Sequence, residues 1–414
     1  MLKLSPLDLR SRAGEGLLNG VADIASRELV AIAQRLARLF FIASPFAPGF
    51  CCIGGEIALD GDTASAHGMP RLSVTGNGET AEQALVSCLG EAADFLSQFE
   101  RAGDVAVVAA GGDDSNVVAD GWIAQAASSA GNPIDWIRAL DASTGRAALL
   151  PADICLRRRP GRRAIEPVGA LSSGAAAGPN FESAALRAVL ELCERDAAAL
   201  WWLGGRRPQR FALEHPATTA AAALIERLRQ GTTTRRTLLL DITTDNGVPA
   251  VAAVSMNADG RGMACGLASR LVAADAAKAA ILEMCQMEMA APVADAKRAE
   301  RGEAALNEAD RRHLRRAEFL AADCELLRPR YASSLATSGP VADPGLDGLV
   351  GHLSRCGIRL FLVDHTRQDI GVPVARAVSP DLQPFSATAS TKRFMRARAD
   401  SGSAGTVATG IPLL

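Results

Sequence analysis

Three segments of the sequence carry carboxylates and amides at helical spacing within stretches that are otherwise apolar. They are Ser87, Glu91 and Asp94 in the first segment, Glu191, Glu194 and Arg195 in the second, and Glu283 and Gln286 in the third. Residues three, four or seven positions apart share one face of a helix. A carboxylate on an apolar face needs a partner, because an unpaired buried charge is costly. Acidic residues from several helices could converge on magnesium, which links carboxylates to nucleotide phosphates, and could thereby support phosphoryl transfer.

The spacing alone leaves a second interpretation open, in which these are solvent-facing helix charges with ordinary neighbours three residues away. No common nucleotide motif decides between the two interpretations. The sequence contains no P-loop, no kinase glycine loop and no G-x-G-x-x-G after a strand. Gly76-Asn77-Gly78 precedes a predicted helix and could offer amides to a phosphate, but a single G-x-G is weak evidence.

The elements that must position these residues are predicted from hydrophobic periodicity. Helices are predicted at 22–41, 80–99, 182–202, 273–291 and 303–327. The second of them opens on Thr80-Ala81-Glu82-Gln83, which has the form of a capping box. Strands are predicted at 105–110, 237–242, 248–256, 359–364 and 372–378, with loops and short strands at 42–78 and loosely ordered chain after Pro384. This alternation predicts an α/β fold of mixed α+β type.

Composition excludes several classes of protein. With 414 residues, 48% of them hydrophobic, and a formal net charge of -2, the chain lacks the strong positive charge of a dedicated nucleic-acid binder. The longest apolar run, 197–203, is too short to span a bilayer, and the N-terminus shows no signal-peptide pattern. We therefore expect a cytoplasmic protein with no membrane partner. The nine cysteines form no C-x-x-C pair and the five histidines are isolated, so no zinc site is expected.

Four blocks of sequence resemble the YcaO-domain family, and they occur in the family's order between about residue 72 and residue 384. The first is Gly76-Asn77-Gly78 followed by the helix that carries Ser87, Glu91 and Asp94. The second is SSGAAAG at 172–178 followed by ELCERDAAALWW at 191–202, which is the most specific piece. The third is Glu283-Met284-Cys285-Gln286. The fourth runs from Asp364-His365-Thr366 through Gly371-Val372-Pro373-Val374 to Pro380.

The resemblance implies a YcaO-like fold whose long helices line a site for ATP and magnesium. The implied metal ligands are Glu91, Asp94, Glu191 and Glu194. The implied nucleotide contacts are Ser87, Ser172, Arg195, Glu283 and Gln286. In the family's chemistry a nucleophile adds to a peptide carbonyl, and the resulting oxyanion takes the γ-phosphoryl group. Loss of phosphate then leaves an azoline from a Cys, Ser or Thr side chain, or a thioamide from external sulfide. No catalytic residue beyond these is identified.

Several family positions differ in this sequence. Asn77 replaces a lysine, Asp94-Phe95 replaces a Glu-Arg pair, Ser183 replaces a glutamate that contacts ATP, and Ala279 replaces an arginine. The proline-rich tail of azoline-forming members is also absent, because the chain ends in GIPLL. These departures favour thioamide formation over azoline formation. They also motivate two alternatives: a catalytically reduced scaffold that binds a precursor peptide or partner, and an accessory factor for methylthiolation of a ribosomal protein.

The resemblance also implies partners and a division of the chain. The expected partners are a precursor peptide and a TfuA-like sulfur-delivery protein. A homodimer is expected separately, because dimers are the commonest symmetric state. The expected parts are a divergent N-terminal segment at 1–71, a YcaO-like catalytic domain at 72–384 and a C-terminal tail at 385–414. The basic loop at 156–167 is either a solvated turn or a contact for phosphates or an acidic leader peptide.

Overall fold

The computed structural model describes residues 3–59, 61–68, 71–109, 116–118, 120–128, 130, 133–166, 168, 170–330, 341, 343–386, 388–401 and 413. Across these residues, no helix has both the length and the apolar character that crossing a membrane requires. The predicted mixed α/β class is confirmed, because the described chain folds into three antiparallel sheets packed against long helices.

The first sheet has four antiparallel strands in sequential order. The part of the chain that forms this sheet and the helices beside it contains β1 (Lys3–Pro6), α1 (Arg12–Ala22), α2 (Arg27–Ala31), β2 (Leu36–Ala43), β3 (Cys51–Ala58), α3 (Gly61–His67), β4 (Arg71–Gly78) and α4 (Ala81–Ser97). α4 packs on β3 and β4, and α1 and α2 pack against α4. The shared core includes Ile53, Val74 and Leu85. The sheet joins residues on both sides of the domain boundary expected at 71, and the domain boundaries stay a prediction.

The rest of the described chain builds two further sheets. The next elements are β5 (Val105–Ala109), α5 (Gly121–Ser128), β6 (Ile134–Asp141), β7 (Ala147–Pro151), α6 (Ala152–Cys155), β8 (Ala175–Ala177) and α7 (Phe181–Trp202). They are followed by α8 (Pro216–Arg229), β9 (Arg235–Asp241), β10 (Ala250–Asn257), β11 (Ala264–Ser269) and α9 (Ala273–Met287). The last are α10 (Ala290–Arg301), α11 (Glu308–Phe319), α12 (Leu346–Arg355), β12 (Phe361–Asp364), β13 (Val374–Val378) and α13 (Lys392–Asp400).

The second sheet has the strand order β5-β6-β12-β13-β8, with β7 paired to β6, and the third has the order β11-β10-β9. Three predicted helices, at 80–99, 182–202 and 273–291, correspond to α4, α7 and α9. The predicted strands correspond to β5, β9, β10, β12 and β13, except that residue 110 lies outside the described residues. The predicted helix at 303–327 is shorter than expected, because only α11 and two 3-10 turns form there.

The predicted helix at 22–41 is wrong over most of its length. α2 ends at Ala31, a 3-10 turn covers Ile32–Arg35, and Leu36–Ala43 forms β2. A short apolar run such as LARLFFIA does not separate helix from strand by its periodicity. Pairing with β1 on one side and β3 on the other decides for the strand.

Part of the segment predicted to be loosely ordered after Pro384 is regular structure, so that expectation is wrong for Lys392–Asp400, which forms α13. Arg393 of this helix forms an ion pair of 2.9 Å with Asp196 of α7, whose side chain is fully buried. The carboxyl group of Asp196 also accepts the amide of Gln383 at 2.8 Å. Polar residues after Pro384 therefore include side chains that attach this segment to α7. Residues 387, 402–412 and 414 lie outside the described residues.

Two glycines set how closely a helix approaches the strand that precedes it. A Cβ atom on Gly76 of β4 would overlap the backbone of α4 at Ala84 and Cys88. A Cβ atom on Gly266 of β11 would overlap the backbone of α9 at Ala280 and Met284. Glycine in a strand interior commonly marks such a close backbone approach. The position of each helix over its sheet therefore depends on one missing side chain.

Replacing Gly76 by alanine should destabilise the protein by about 1–3 kcal/mol, because the new methyl group forces α4 away from β4. Gly90 is the matched control, since it lies on α4 itself and a Cβ there meets no atom within 4 Å. Gly90→Ala should raise stability by about 0.5–1 kcal/mol through lower helix entropy cost. Urea unfolding of both variants measures the two effects, and equal stabilities would contradict the packing account.

His365 is a buried histidine at the start of the turn between β12 and β13. It is 1% exposed, and neither of its ring nitrogens has a hydrogen-bond partner within the described chain. Burial lowers the pKa of His365 to about 3, and the positive charges of Arg376 and Arg367 contribute to the shift. The folded protein therefore holds this ring in its neutral form.

Replacing His365 by leucine should make stability less sensitive to acid. The folded-state pKa lies below the unfolded value of about 6.5. The contribution of the neutral ring is therefore complete above about pH 6.5 and is lost as the pH falls toward 3. Relative to the variant, the free energy of unfolding of the wild type should fall by up to about 1.4 kcal/mol per pH unit in that window. Urea unfolding between about pH 7.5 and 5 tests this, and parallel pH profiles would show that the ring does not titrate as proposed.

Candidate active site

Three helices bring their acidic faces to one place in the structure. α4 contributes Glu91 and Asp94, α7 contributes Glu191 and Glu194, and α9 contributes Glu283. Their charges interact in a continuous series, from Glu91 to Asp94, then to Glu191 and Glu194, and then to Glu283. We call these five residues the acidic cluster. The helices that the sequence singled out thus meet, and the roles of their side chains as ligands remain a prediction.

The two outer helices hold their glutamates in the same way. Glu91 accepts a hydrogen bond of 2.7 Å from the amide of Thr75 in β4, and Glu283 accepts one of 3.0 Å from the amide of Leu267 in β11. Glu91 is accessible to solvent yet closely surrounded by protein, and this desolvation raises its pKa to about 7 despite the amide, with repulsion from Asp94 contributing. Burial raises the pKa of Glu283 as well, and repulsion from Glu194 adds to the rise.

Arg195 is the cation in direct contact with the middle of the cluster. Its guanidinium lies 2.9 Å from Glu194 and 3.3 Å from Glu191, and all three side chains are largely buried. Burial raises the pKa of Glu191 to about 7, although Arg195 opposes the shift. The two glutamates, together with Glu283, raise the pKa of Arg195 above its ordinary value despite burial. One guanidinium therefore offsets part of the negative charge of the cluster but not all of it.

One carboxylate oxygen of Asp94 has no hydrogen-bond partner among the residues that the structure describes. Its Oδ2 accepts a hydrogen bond of 3.0 Å from Gln98, but its buried Oδ1 has no partner among the residues described. Burial raises the pKa of Asp94 to about 6, although Gln98, Arg376 and Arg157 oppose the shift. An unsatisfied carboxylate oxygen of this kind is costly unless a ligand completes it.

Gln286 connects α9 to β4. Its oxygen accepts a hydrogen bond of 2.7 Å from Asn77, and its nitrogen donates one of 2.9 Å to the hydroxyl of Thr75. The same strand therefore carries the amide that binds Glu91 and the side chains that bind Gln286. Asn77, which stands where the family has lysine, is a partner of Gln286 in this structure.

The two predicted serine contacts lie in different surroundings. Ser87 is exposed on α4, one turn before Glu91. Ser172 is half-buried in the turn before β8, where its carbonyl accepts a hydrogen bond of 3.1 Å from the amide of Ala175. Neither serine belongs to the hydrogen-bond network that joins Gln286, Asn77 and Thr75, and their nucleotide contacts remain a prediction.

Arg376 of β13 was missed by sequence reasoning. It is 7% exposed, and its terminal nitrogens donate to the carbonyls of Leu171 and Ile154. Its charge interacts with Asp94 and Glu191, so it lies beside the acidic cluster. The available signal was a single arginine inside the otherwise apolar strand VARAV.

Arg157 is a second cation that sequence reasoning did not assign to the site. Its guanidinium lies 4.0 Å from the centre of the Phe95 ring and donates a hydrogen bond of 2.9 Å to Gln98. Its charge interacts with that of Asp94, and burial lowers its pKa to about 10, so it stays protonated at neutral pH. The family's arginine is absent at position 95, and here a guanidinium reaches the same neighbourhood from the loop at 156–167.

The rest of that basic loop is mainly structural. Arg158 is fully buried and forms ion pairs with Glu100, Asp135 and Asp153. Arg162 shares two of these carboxylates. The charge of Arg158 is therefore balanced inside the protein, whereas Arg159 and Arg162 are exposed, and a contact with an acidic leader peptide stays a prediction.

The acidic cluster fits magnesium together with a nucleotide better than a metal ion alone. Among the described residues, no three His, Cys, Asp or Glu side chains are grouped closely enough to hold a metal by themselves. Magnesium does not need such a cage, because it keeps several waters and binds one or two carboxylates together with phosphate oxygens. The Oδ1 of Asp94 has no hydrogen-bond partner among the described residues, and desolvation raises the pKa of Glu91 and of Glu191, so a bound cation would stabilise these carboxylates.

Comparison with solved structures supports the fold. A heterocyclase in complex with substrate and cofactor matches with a TM-score of 0.68 at 21% identity, over 92% of this chain and 53% of that one. The YcaO protein from Methanopyrus kandleri bound with AMPPCP and Mg2+ matches with a TM-score of 0.61 at 18% identity, over 89% and 91% of the two chains. A chain of the E. coli microcin synthetase McbBCD complex matches with a TM-score of 0.53 at 15% identity, over 80% and 84%.

This chain spans about half the length of the heterocyclases it matches, 53% of the one above and 47% of the heterocyclase TruD. No curated protein matches the sequence significantly. The family model described as YcaO cyclodehydratase, ATP- and Mg2+-binding, matches residues 75–383, which is more than half of the 414 residues. The matched range contains the end of β4 from Thr75, the acidic cluster, Arg195 and Arg376, and the chain therefore belongs to the YcaO family.

Proposed function

We propose that this protein uses ATP and magnesium to activate a backbone amide of a ribosomally made peptide, and that the product is a thioamide or an azoline. The observation that carries the proposal is the acidic cluster: five carboxylates from three helices, several of them with raised pKa values, of which three interact with the guanidinium of Arg195. The family to which the chain belongs binds ATP and Mg2+. When bound, they supply a phosphoryl group that makes the amide oxygen a leaving group.

The protein's own side chains divide this task. Glu91, Asp94, Glu191 and Glu194 would hold magnesium together with the phosphates, since their charges interact and desolvation raises the pKa values of the first three. Arg195 would hold the two α7 glutamates in place and face the phosphates. Four further side chains would contact or orient the nucleotide: Ser87, Ser172, Glu283 and Gln286. The amides of Thr75 and Leu267 fix the outer glutamates before any ligand arrives.

One departure from the family pattern, the loss of an arginine at position 95, is compensated by an arginine from another part of the chain. Arg157, stacked on Phe95, supplies the guanidinium that position 95 lacks, and it lies close enough to influence Asp94. This compensation supports an enzyme over a catalytically reduced scaffold. One observation favours the scaffold, because the amide of Gln286 is already committed to Asn77 and Thr75. A role as accessory factor for ribosomal-protein methylthiolation has no specific contact in its favour among the described residues.

Finer features of the proposal come from the sequence. The departures favour a thioamide product, with a TfuA-like protein as the partner that delivers sulfur. The substrate would be a precursor peptide, and the protein would act in the cytoplasm as a homodimer. The relatives solved with a substrate, or as the McbBCD complex, are in keeping with binding to a peptide and to partner proteins.

The double variant Glu191→Gln/Glu194→Gln should lose magnesium-dependent binding of ATP by at least about a hundredfold, because two metal ligands become neutral amides while side-chain size is kept. Calorimetric titration of ATP with magnesium into the wild type and the variant measures this. Glu226→Gln, on the exposed face of α8, is the control and should bind like the wild type. A well-folded wild type that binds no ATP, with or without its partner, would leave the scaffold as the better account.

Replacing Arg157 by methionine should weaken binding of ATP and magnesium by about tenfold, since about 1.4 kcal/mol of charge stabilisation corresponds to that factor. The backbone amide of Arg157 bonds to the carbonyl of Gln98 at 2.7 Å and should keep the loop in place. Adding Phe95→Arg to that variant should restore most of the affinity by returning a guanidinium to α4. The same calorimetry measures it, and a double variant that binds as weakly as the single one would argue against compensation.

A further inference from the structure

A small cavity adjoins the acidic cluster. It has a volume of about 60 Å³, and most of its lining is apolar. The apolar side chains that line it include Trp122, Leu171, Leu192 and Phe385. Arg195 and Arg376 also line it. Because Arg195 touches Glu191 and Glu194 as well, the cavity and the acidic cluster are neighbours that share one side chain.

Arg376, which lines the cavity, has a hydrogen-bond donor that no described residue uses. Two of its nitrogens are satisfied by the carbonyls of Leu171 and Ile154. Its Nε is buried and lacks a hydrogen-bond partner within the described residues. A buried N–H group without an acceptor is costly, so it marks a place where a ligand oxygen would bind favourably.

The charge around the cavity determines whether it favours a neutral or an anionic ligand oxygen. Arg195 is already paired with two glutamates, and the five carboxylates of the adjoining acidic cluster outnumber the three guanidinium groups described near them, those of Arg195, Arg376 and Arg157. An anionic side chain would be repelled unless it brought cations with it. A neutral carbonyl oxygen, as in a peptide bond, meets the donor without that penalty.

The size of the cavity limits which apolar group of a ligand it can hold. Cavities that hold benzene measure about 150 Å³. The present cavity is smaller, at about 60 Å³, and therefore fits a short aliphatic group and not a purine base. Its apolar walls favour burial of such a group by the hydrophobic effect.

We propose that this cavity is the side-chain pocket for the peptide substrate. It receives a short aliphatic residue next to the amide to be activated, and Arg376 Nε donates to a backbone carbonyl of that residue. The proposal rests on the function proposed above, since it assigns the peptide to one side of Arg195 and the nucleotide to the other. Phe385, which follows β13, would then set the size of side chain that the pocket accepts.

The test compares two uncharged-backbone probes of similar size, N-acetyl-L-valine methylamide and N-acetyl-L-aspartate methylamide. Their affinities are measured by saturation-transfer NMR with and without saturating AMPPCP and magnesium. The valine probe should bind at least about tenfold more tightly than the aspartate probe, in both conditions. Ala170→Trp, which adds bulk at an exposed position of the lining, should weaken valine-probe binding at least about tenfold. Ala222→Trp on the exposed face of α8 is the matched control and should leave it unchanged.

Several results would overturn the pocket. They are no binding of the valine probe to the wild type, equal binding to Ala170→Trp, or displacement of the probe by AMPPCP, which would make the cavity part of the nucleotide site. Phe385→Ala provides an independent check, because enlarging the pocket should shift the preference toward N-acetyl-L-phenylalanine methylamide, and an unchanged preference counts against the proposal. AMPPCP binding to the same samples is read separately. Its absence in the wild type contradicts the proposed function, whereas its presence without probe binding contradicts only the pocket.

Discussion

The central constraint on this structure is the confinement of five carboxylates to one closely surrounded place. Desolvation and mutual repulsion both oppose their ionisation, which is why the pKa values of Glu91 and Glu191 rise to about 7. The fold must therefore hold the three helices together against their own charges. It does so with packing and backbone hydrogen bonds that do not depend on the charges, and Arg195 offsets only part of the repulsion.

Two parts of the chain meet this constraint with the same device. In each part, the edge strand of an antiparallel sheet of at least three strands contains a glycine, and the helix that follows packs closely over that glycine. A glutamate on the helix accepts a hydrogen bond from a backbone amide of the same strand. Gly76, Thr75 and Glu91 form one copy, and Gly266 and Leu267 form the other with the glutamate of α9. α7, which packs on the second sheet, supplies the third acidic face between them. The site is thus a meeting point of all three sheets.

The local hydrophobic pattern was sufficient to predict the three helices that carry the acidic cluster. α4, α7 and α9 are long, and their apolar residues have a clear helical period, so their existence and their acidic faces could be predicted. β2 and α13 could not, because strand pairing and the contact between Arg393 and Asp196 decide them. Arg157 reaches Phe95 from 62 residues further along the chain, and Arg376 reaches the cluster from another sheet. Contacts of that range leave no periodic trace in a sequence.

The charge balance also bears on whether the protein is an enzyme or a scaffold. Buried carboxylates without a partner lower stability, and replacing them with apolar residues commonly raises it. A scaffold that no longer bound metal and nucleotide would gain by losing Asp94 Oδ1, which has no partner within the described chain. The chain instead keeps the carboxylate and places Arg157 near it, where the family's arginine is missing. A ligand that carries cations would offset this unfavourable burial, and magnesium bound to phosphates has the required charge, which supports the proposed enzyme over the scaffold.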